Sequence, residues 1–362
     1  MIKTIRVLHT EWSDGWGGQE IRIIHEMKMM RSEGVEVYLA CRENSLIKDE
    51  AVANNIKVFT LPFKGNTDLK TLLHLKKIIK YYSIHIVNTH SGKDTWVGGL
   101  AAKLAGVKFI RTRHLSNKIN PSRLNFINEL ADYVFTTGEK VKDDMIKYNR
   151  INENKIISIP TGIDDSIYNP TSYNKAESRR ELKIKDNEIA IGILAVLRKF
   201  KRHDLFLKMA KSLIKKFPNK ELVFIIAGNG PQKENIEKII NNLNLNKHLK
   251  MIGHINNAPK FLCAIDILVL SSDSKEGVPQ SVMQGLFMNK KVVSSDSGST
   301  RDLFYNNNFQ LVKGGDEASL INGVSIFLKN FDEVSTRKHM IRNFSSKVMV
   351  KKIMTSYKEI LD

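Results

Sequence analysis

Cysteine is nearly absent: Cys41 and Cys263 are the only two in 362 residues. They fall in different halves of the chain, so neither a disulfide framework nor a cysteine-based zinc site is expected. No run approaches the roughly 18 consecutive apolar residues of a membrane-spanning helix. The opening MIKTIRVLHTEW breaks its apolar run at Thr4, Arg6 and His9, so no signal peptide is expected. Acidic residues are scarce beside basic ones, 38 against 57, which leaves a formal charge of +19. That excess calls for a strong solubility requirement or for an anionic partner, which would be nucleic acid, an anionic membrane face or a phosphorylated substrate. Nucleic acid is the weakest of these, because no recognised binding module and no alternation of aromatic and basic residues is present.

What is present is alternation. With 42% hydrophobic residues the chain can bury two sizeable cores, and short apolar runs alternate with amphipathic stretches from end to end. The first strand is expected at 5–10. The loop TEWSDGWGGQE follows and leads through Gly17 and Gly18 into a helix closed by Gly34. Strand, glycine loop and helix together form an arrangement that cradles phosphate. Strands are expected at 35–41 and 56–63, with a helix over 45–54 between them. The helix over 68–82 carries a stripe of Leu69, Leu72, Leu73, Leu75, Ile78 and Ile79, with Lys70, Lys76, Lys77 and Lys80 opposite. It reads either as a core-packed helix with a solvated face or as a face resting on anionic lipid. A strand at 84–89 runs into His90, Ser91, Lys93 and Asp94, and one at 107–111 runs into Arg113, His114 and Ser116. Polar clusters at successive strand ends are hard to explain by packing alone. A strand at 131–136 and a helix at 141–148 follow, then a linker at 162–173.

The second half repeats the pattern. A strand at 190–197 feeds Arg198, Lys199, Lys201 and Arg202 before a helix, and another ends at Gly228, Asn229 and Gly230. The strand at 264–270 leads into a loop with Glu276, Gly277 and Pro279. A helix over 281–289, capped by Ser281 or Gln280, is expected from Val282, Met283, Leu286 and Phe287. The strand KVVSS ends in the loop SDSGSTRD, a short strand is expected at 307–312, and helices at 317–330 and 336–361. Consecutive strand-loop-helix units place these loops at the carboxyl ends of parallel strands, where open α/β sheets hold ligands.

The stretch EGVPQSVMQG resembles the signature of glycosyltransferase family 4, whose members have the GT-B fold. The resemblance implies an α/β protein of two Rossmann-like doubly wound domains facing a central cleft. Residues 1–165 would bind acceptor, 166–340 would bind the nucleotide-sugar donor, and 341–362 would form a helix crossing back to the first domain. Glu276 takes the position that touches the donor sugar, within a donor-side motif completed by Gly277, Val278, Pro279, Gln280 and Ser281. Gln284 stands where the family has a second Glu bonding the ribose; an amide offers one acceptor oxygen and two donor hydrogens there. The pair Gly17 and Gly18, with Glu20, corresponds to the family's glycine pair near the diphosphate and acceptor. His114 corresponds to a histidine that contacts the donor sugar, with His90 and Arg113 as further binding candidates beside it. Arg198 and Lys201 correspond to the cations that neutralise the diphosphate. Gly228 and Gly230 join the substrate-binding candidates, and His254 follows Gly253 where family members read the base with backbone atoms. The segment IPTGID, 159–164, resembles the family's hinge.

The implied activity is transfer of a sugar, with retention, from a nucleotide sugar to a glycan or lipid-linked acceptor in bacterial lipopolysaccharide or capsule synthesis. No cofactor is expected and no metal, since no Asp-X-Asp motif accompanies a nucleotide loop. A cytoplasmic enzyme peripheral on the inner face of the membrane fits the charge. The rival readings are a GT-B nucleotide-sugar epimerase or hydrolase, and a non-enzymatic basic anion-binding protein.

Overall fold

Apolar strands buried on both faces need helices on both sides of a sheet, and the chain supplies them twice. A computed structural model describes residues 4–114, 119, 123–273, 276–305, 309–330 and 335–362. It divides into two units, Met1–Gly162 with Ser346–Asp362, and Ile163–Ser345.

Unit 1 contains β1 (Arg6–Glu11), α1 (Gly18–Ser32), β2 (Glu36–Cys41), α2 (Leu46–Ala53), β3 (Lys57–Thr60), α3 (Leu69–Tyr81), β4 (Ile86–Thr89), α4 (Gly92–Ala105), β5 (Lys108–Arg113), β6 (Tyr133–Thr136), α5 (Glu139–Asn149) and β7 (Ile156–Ser158). Its seven strands are parallel in the order β3-β2-β1-β4-β5-β6-β7. One apolar core, with Val7, Ile23, Met27 and Ile86, lies on one face of the sheet; the other, with Leu8, Leu75, Val87 and Phe109, lies on the opposite face. Local chemistry starts the helices. Asp68 accepts from the backbone of Thr71 at the head of α3, and Ser91 with Asp94 forms a capping box at α4. Gly34, at φ +81°, follows the end of α1 in the left-handed conformation that closes such helices.

Unit 2 contains α6 (Lys175–Glu181), β8 (Ile189–Leu194), α7 (His203–Lys216), β9 (Leu222–Ala227), α8 (Lys233–Asn242), β10 (Leu249–Gly253), α9 (Ala258–Ala264), β11 (Ile267–Leu270), α10 (Gln280–Phe287), β12 (Lys291–Asp296), β13 (Phe309–Lys313), α11 (Glu317–Lys329) and α12 (Arg337–Phe344). Six parallel strands run in the order β10-β9-β8-β11-β12-β13. All six residues of β9, LVFIIA, are buried, as a central strand covered on both faces requires. The last helix, α13 (Ser346–Leu361), belongs to unit 1, where Met349, Ile353 and Tyr357 enter the core.

Several boundaries differ from the sequence reading. The continuous helix expected over 336–361 breaks at Ser345, which is extended and bridges Ile163, while Ile163 N donates to Phe344 O at 2.9 Å. The division into units therefore falls at 162/163 and 345/346 rather than at 165 and 340. β1 and β5 run further than expected, to Glu11 and Arg113, which carries those side chains into the sheet. β8 stops at Leu194, so its loop begins earlier. Of the broad stripe on α3 only Leu72, Leu75 and Ile79 are buried; Leu69 is 70% and Leu73 57% exposed. Helix α10 starts at Gln280 with Pro279 in the capping position, so neither Ser281 nor Gln280 caps it. Ser116 and Asn307 lie outside the described residues.

Candidate functional site

Each sheet reverses its strand order once, between β1 and β4 in unit 1 and between β8 and β11 in unit 2. Loops leaving the carboxyl ends of such neighbours diverge, and open α/β sheets take ligands in the crevice between them. Most of the residues singled out from the sequence fall at these two places.

In unit 2 the loop after β8 is tied to the loop after β11. Asp273 N donates to Phe200 O at 3.1 Å, and the Ser271 hydroxyl donates to Lys201 O and Arg202 O, both at 2.9 Å. Between the loops, Lys201 Nζ stands 2.5 Å from Glu276 Oε1, which also accepts from the Ser272 hydroxyl at 2.6 Å. Glu276 is buried, so its carboxylate is held by a charge and a hydroxyl in place of water. Arg202 turns the other way, onto Asp204 at 2.8 and 2.9 Å, and lies 3.8 Å from Asp273. Arg198 and Lys199 are exposed and have no side-chain partner among the described residues. They border a cavity of about 390 Å³ that Arg202, Gln232 and Asp273 also line.

Two further loops pack against the loops after β8 and β11, and a third packs against one of these. Gly298 has φ +58°, and a Cβ there would stand 1.7 Å from Glu276 O. The backbone after β12 thus lies directly against the Glu276 peptide, an approach only glycine permits. Gly228 and Gly230 play the same part against the β8 loop, where a Cβ would meet Ala195 O at 2.0 Å and Leu197 O at 2.8 Å. Gly228 N donates to Gly253 O at 2.7 Å, which sets the exposed His254 beside the same loops. On the motif itself, Val278 and Pro279 are buried, and Gly277, Gln280, Ser281 and Gln284 are half-buried.

In unit 1 the structure joins His90 and His114 and adds His9. His9 Nδ1 lies 2.9 Å from His90 Nε2, and His90 Nδ1 lies 2.9 Å from His114 Nε2. Burial pushes the His9 imidazole down to about 3 and holds the other two well below their ordinary value. Asp94 accepts from His90 N at 2.9 Å and from the Thr10 hydroxyl at 2.6 Å, and burial raises its pKa. Glu11 accepts from Ser13 N at 2.7 Å and Gln19 Nε2 at 2.5 Å, which pins the glycine loop to β1. Burial, and then the Asp94 charge, push Glu11 up to about 8. Arg111 is buried with its guanidinium donating to Thr89 O at 3.2 Å. Arg113, half-buried at the end of β5, is pushed down to about 10 by burial and by Arg111.

Gly17 occupies the capping position of α1 in an extended conformation, φ −158°, that any residue adopts, and Gly18 is the first residue of the helix. The nearest atom to a Cβ at Gly17 would be Glu20 Oε2 at 3.4 Å, so the buried Glu20 carboxylate sits at this helix start.

Sequence reasoning missed His9, Glu11, Arg22, Glu26 and Gly298. His9 and Glu11 occupy alternate positions in a strand buried from Val7 onward, and polar residues at that period were the available signal. Arg22 and Glu26 are both fully buried, four apart on α1, among Ile23, Ile24 and Met27.

Residues 16–167 match the family described as Glycosyltransferase Family 4, and residues 174–346 the family described as Glycosyl transferases group 1. The chain is 26% identical, over 98% of its length and 93% of the relative, to the UDP-Gal:alpha-D-GlcNAc-diphosphoundecaprenol alpha-1,3-galactosyltransferase of Escherichia coli. The crystal structure of a glycosyltransferase from Rickettsia africae shares its fold with a TM-score of 0.90 at 20% identity, covering 99% of both chains. Anabaena HepE, solved in complex with UDP, shares it with a TM-score of 0.85 at 15% identity, covering 98% of this chain and all of that one.

Proposed function

The chain belongs to the family 4-type glycosyltransferases and has their GT-B fold of two Rossmann-like domains, and from that premise we propose that it moves a sugar, with retention of configuration, from a nucleotide diphosphate sugar to a lipid-linked glycan of the bacterial cell surface. The observation that carries this reading is the pairing of Lys201 with Glu276 at the strand-order reversal of unit 2, beside the exposed Arg198. In the transfer, the acceptor oxygen bonds to the anomeric carbon as that carbon's bond to the phosphate oxygen breaks. The bonding pair leaves with the diphosphate, and the acceptor proton ends on the departing phosphate oxygen. Lys201 and Arg198, two cations on one loop, take up the charge that develops there. Among the described residues, both donors to Glu276 converge on Oε1, and Oε2 is the oxygen that accepts from sugar hydroxyls in this scheme. Gln284 bonds the ribose. Positive side chains and helix amino termini supply the electrostatics, and no metal ion or cofactor takes part in this scheme.

Two observations support a lipid-linked acceptor. The Escherichia coli relative is named for a diphosphoundecaprenol-linked acceptor. In unit 1, α3 exposes Leu69, Leu73 and Tyr81 on the same side as Lys70, Lys77 and Lys80. An apolar and basic helix face of this kind suits an anionic bilayer surface, and no helix among the described residues is long and apolar enough to cross a membrane.

The test is a thermal-shift and initial-rate screen against nucleotide diphosphate sugars, beginning with UDP-sugars, followed by Lys201→Ala and Glu276→Ala. Loss of turnover in both variants is expected. Turnover within a few-fold of wild type in both would overturn the site. Product analysis without acceptor separates transfer from epimerisation and hydrolysis. Sedimentation with phosphatidylglycerol vesicles at low and moderate salt tests the α3 face: salt-sensitive binding is expected, and no binding at low salt would remove the membrane reading.

A further inference from the structure

Three imidazoles hold one another in line where β1, β4 and β5 end. In both the His9–His90 and His90–His114 pairs the nitrogens are 2.9 Å apart and the ring centroids 5.2 Å apart. That is the spacing of two five-membered rings whose nitrogen–nitrogen line runs along both ring radii. The contacts are therefore in-plane hydrogen bonds and not face stacking. The rings meet edge to edge along a line and do not converge on a point, so they hold each other and not a metal ion.

His9, His90 and His114 are 0, 1 and 9% exposed, so His114 is the member nearest solvent. Burial keeps all three neutral, and the cations Arg22 from α1 and Arg111 and Arg113 from β5 act in the same direction on His114. A neutral imidazole has one N–H and one lone pair. Two bonds along three such rings can then form in only two ways. Either every ring is protonated on Nε2 and donation runs from His114 through His90 to His9, or every ring is protonated on Nδ1 and donation runs back. Any mixed set points two lone pairs or two N–H groups at each other and forfeits a buried bond. Passing from one arrangement to the other needs a proton to enter at one end and leave at the other. The inner end, His9 Nε2, is buried with no hydrogen-bond partner among the described residues, so the chain has no inner exit and stays in one arrangement.

We propose that His9 and His90 are positioning residues that fix the tautomer and ring plane of His114, so that His114 Nδ1 meets a sugar hydroxyl always as a donor or always as an acceptor. The inference rests on the reading that sets His114 against the donor sugar, and it adds His9 and His90 to that contact. A hydroxyl both donates and accepts, so a His114 of mixed tautomer would hold the sugar in two orientations. A single tautomer holds it in one.

Long-range 1H–15N correlation spectra of the full-length, 15N-labelled protein at pH 7, without substrate, read the ring nitrogens directly, with signals assigned by single His→Gln variants. The expected result is three neutral imidazoles with the same tautomer. Mixed tautomers or an imidazolium among the three would overturn the inference and leave the sugar contact of His114 standing. In kinetics, His9→Phe frees His90 Nε2, so that the His90 ring can turn and present either nitrogen to His114; it is expected to lower kcat/KM about ten- to a hundredfold and to split the His114 signals between two tautomers. His9→Asn, whose amide returns a hydrogen-bond partner to His90 Nε2 and so holds that ring in place, restores most of the rate. A slowed His9→Phe with unchanged His114 signals would overturn the positioning role. Should His114→Ala keep full turnover, the sugar contact itself fails and the inference fails with it. If His9→Phe does not fold, the wild-type spectrum alone decides.

Discussion

The ammonium of Lys201 and the carboxylate of Glu276 are 75 positions apart in the chain and 2.5 Å apart in the fold, joined across the one point where the unit 2 sheet reverses its order. Neither side chain is left to solvent: Lys201 is 15% and Glu276 9% exposed along the side chain. Each therefore depends on the other for its direction.

That dependence has a kinetic signature. Lys201→Ala and Glu276→Ala are each expected to lower turnover roughly 10²- to 10³-fold. The double variant should cost no more than about tenfold beyond the worse single one, because either change already releases the partner. Initial rates at saturating donor measure this. Simple multiplication of the two single losses would show that the residues act separately.

Gly298 supports the pair from behind. An alanine there adopts a left-handed φ at a cost of about 1–2 kcal/mol and also meets the Glu276 carbonyl at 1.7 Å. Gly298→Ala is expected to destabilise unit 2 by at least about 2 kcal/mol in urea unfolding and to weaken nucleotide binding as the Glu276 loop shifts. Unchanged binding would show that the two loops move independently.

Arg22 and Glu26 form an ion pair with both side chains fully buried, 3.6 Å between Nε and Oε2. Arg22 also donates to Ile159 O at 2.7 Å and to the Thr161 hydroxyl at 3.3 Å, which fastens α1 to the segment after β7. Burial lowers the Arg22 pKa and raises that of Glu26, and each charge pulls the other back toward its ionised form. Arg22→Met strands the carboxylate and is expected to cost about 3–5 kcal/mol in urea unfolding at pH 7. Adding Glu26→Gln should recover part of the loss; no recovery would mean that the backbone tie, not the charge pair, is what matters.

His203 offers a clean pH test. Both its ring nitrogens are buried without a hydrogen-bond partner among the described residues, and burial pushes its pKa from 6.5 down to about 4. The unfolded chain takes up a proton below pH 6.5 that the folded protein refuses until about 4. Stability from this group is thus complete above pH 6.5 and is lost as the pH falls toward 4. His203→Leu removes the penalty, so relative to wild type the variant should gain about 1.4 kcal/mol per pH unit across that window. Urea midpoints at intervals from pH 7 to 4 measure the gain. Parallel curves for the two proteins would contradict the buried, neutral imidazole.

The alternation of strands and helices, the glycine loops and the motif around Glu276 were open to reading from the sequence, because each depends on residues a few positions apart: an unbroken apolar run in β9, a capping box at Ser91 and Asp94, a chain reversal at Gly34. Lys201 and Glu276 could be named in the same way, as residues at strand ends. Their pairing could not, and neither could the line from His9 through His90 to His114 or the pressure of Gly298 on Glu276. Those contacts bridge segments that come together only when β1 lies beside β4 and β8 beside β11. Strand order is a property of how whole sheets bury their faces, and residue spacing along the chain carries no record of it.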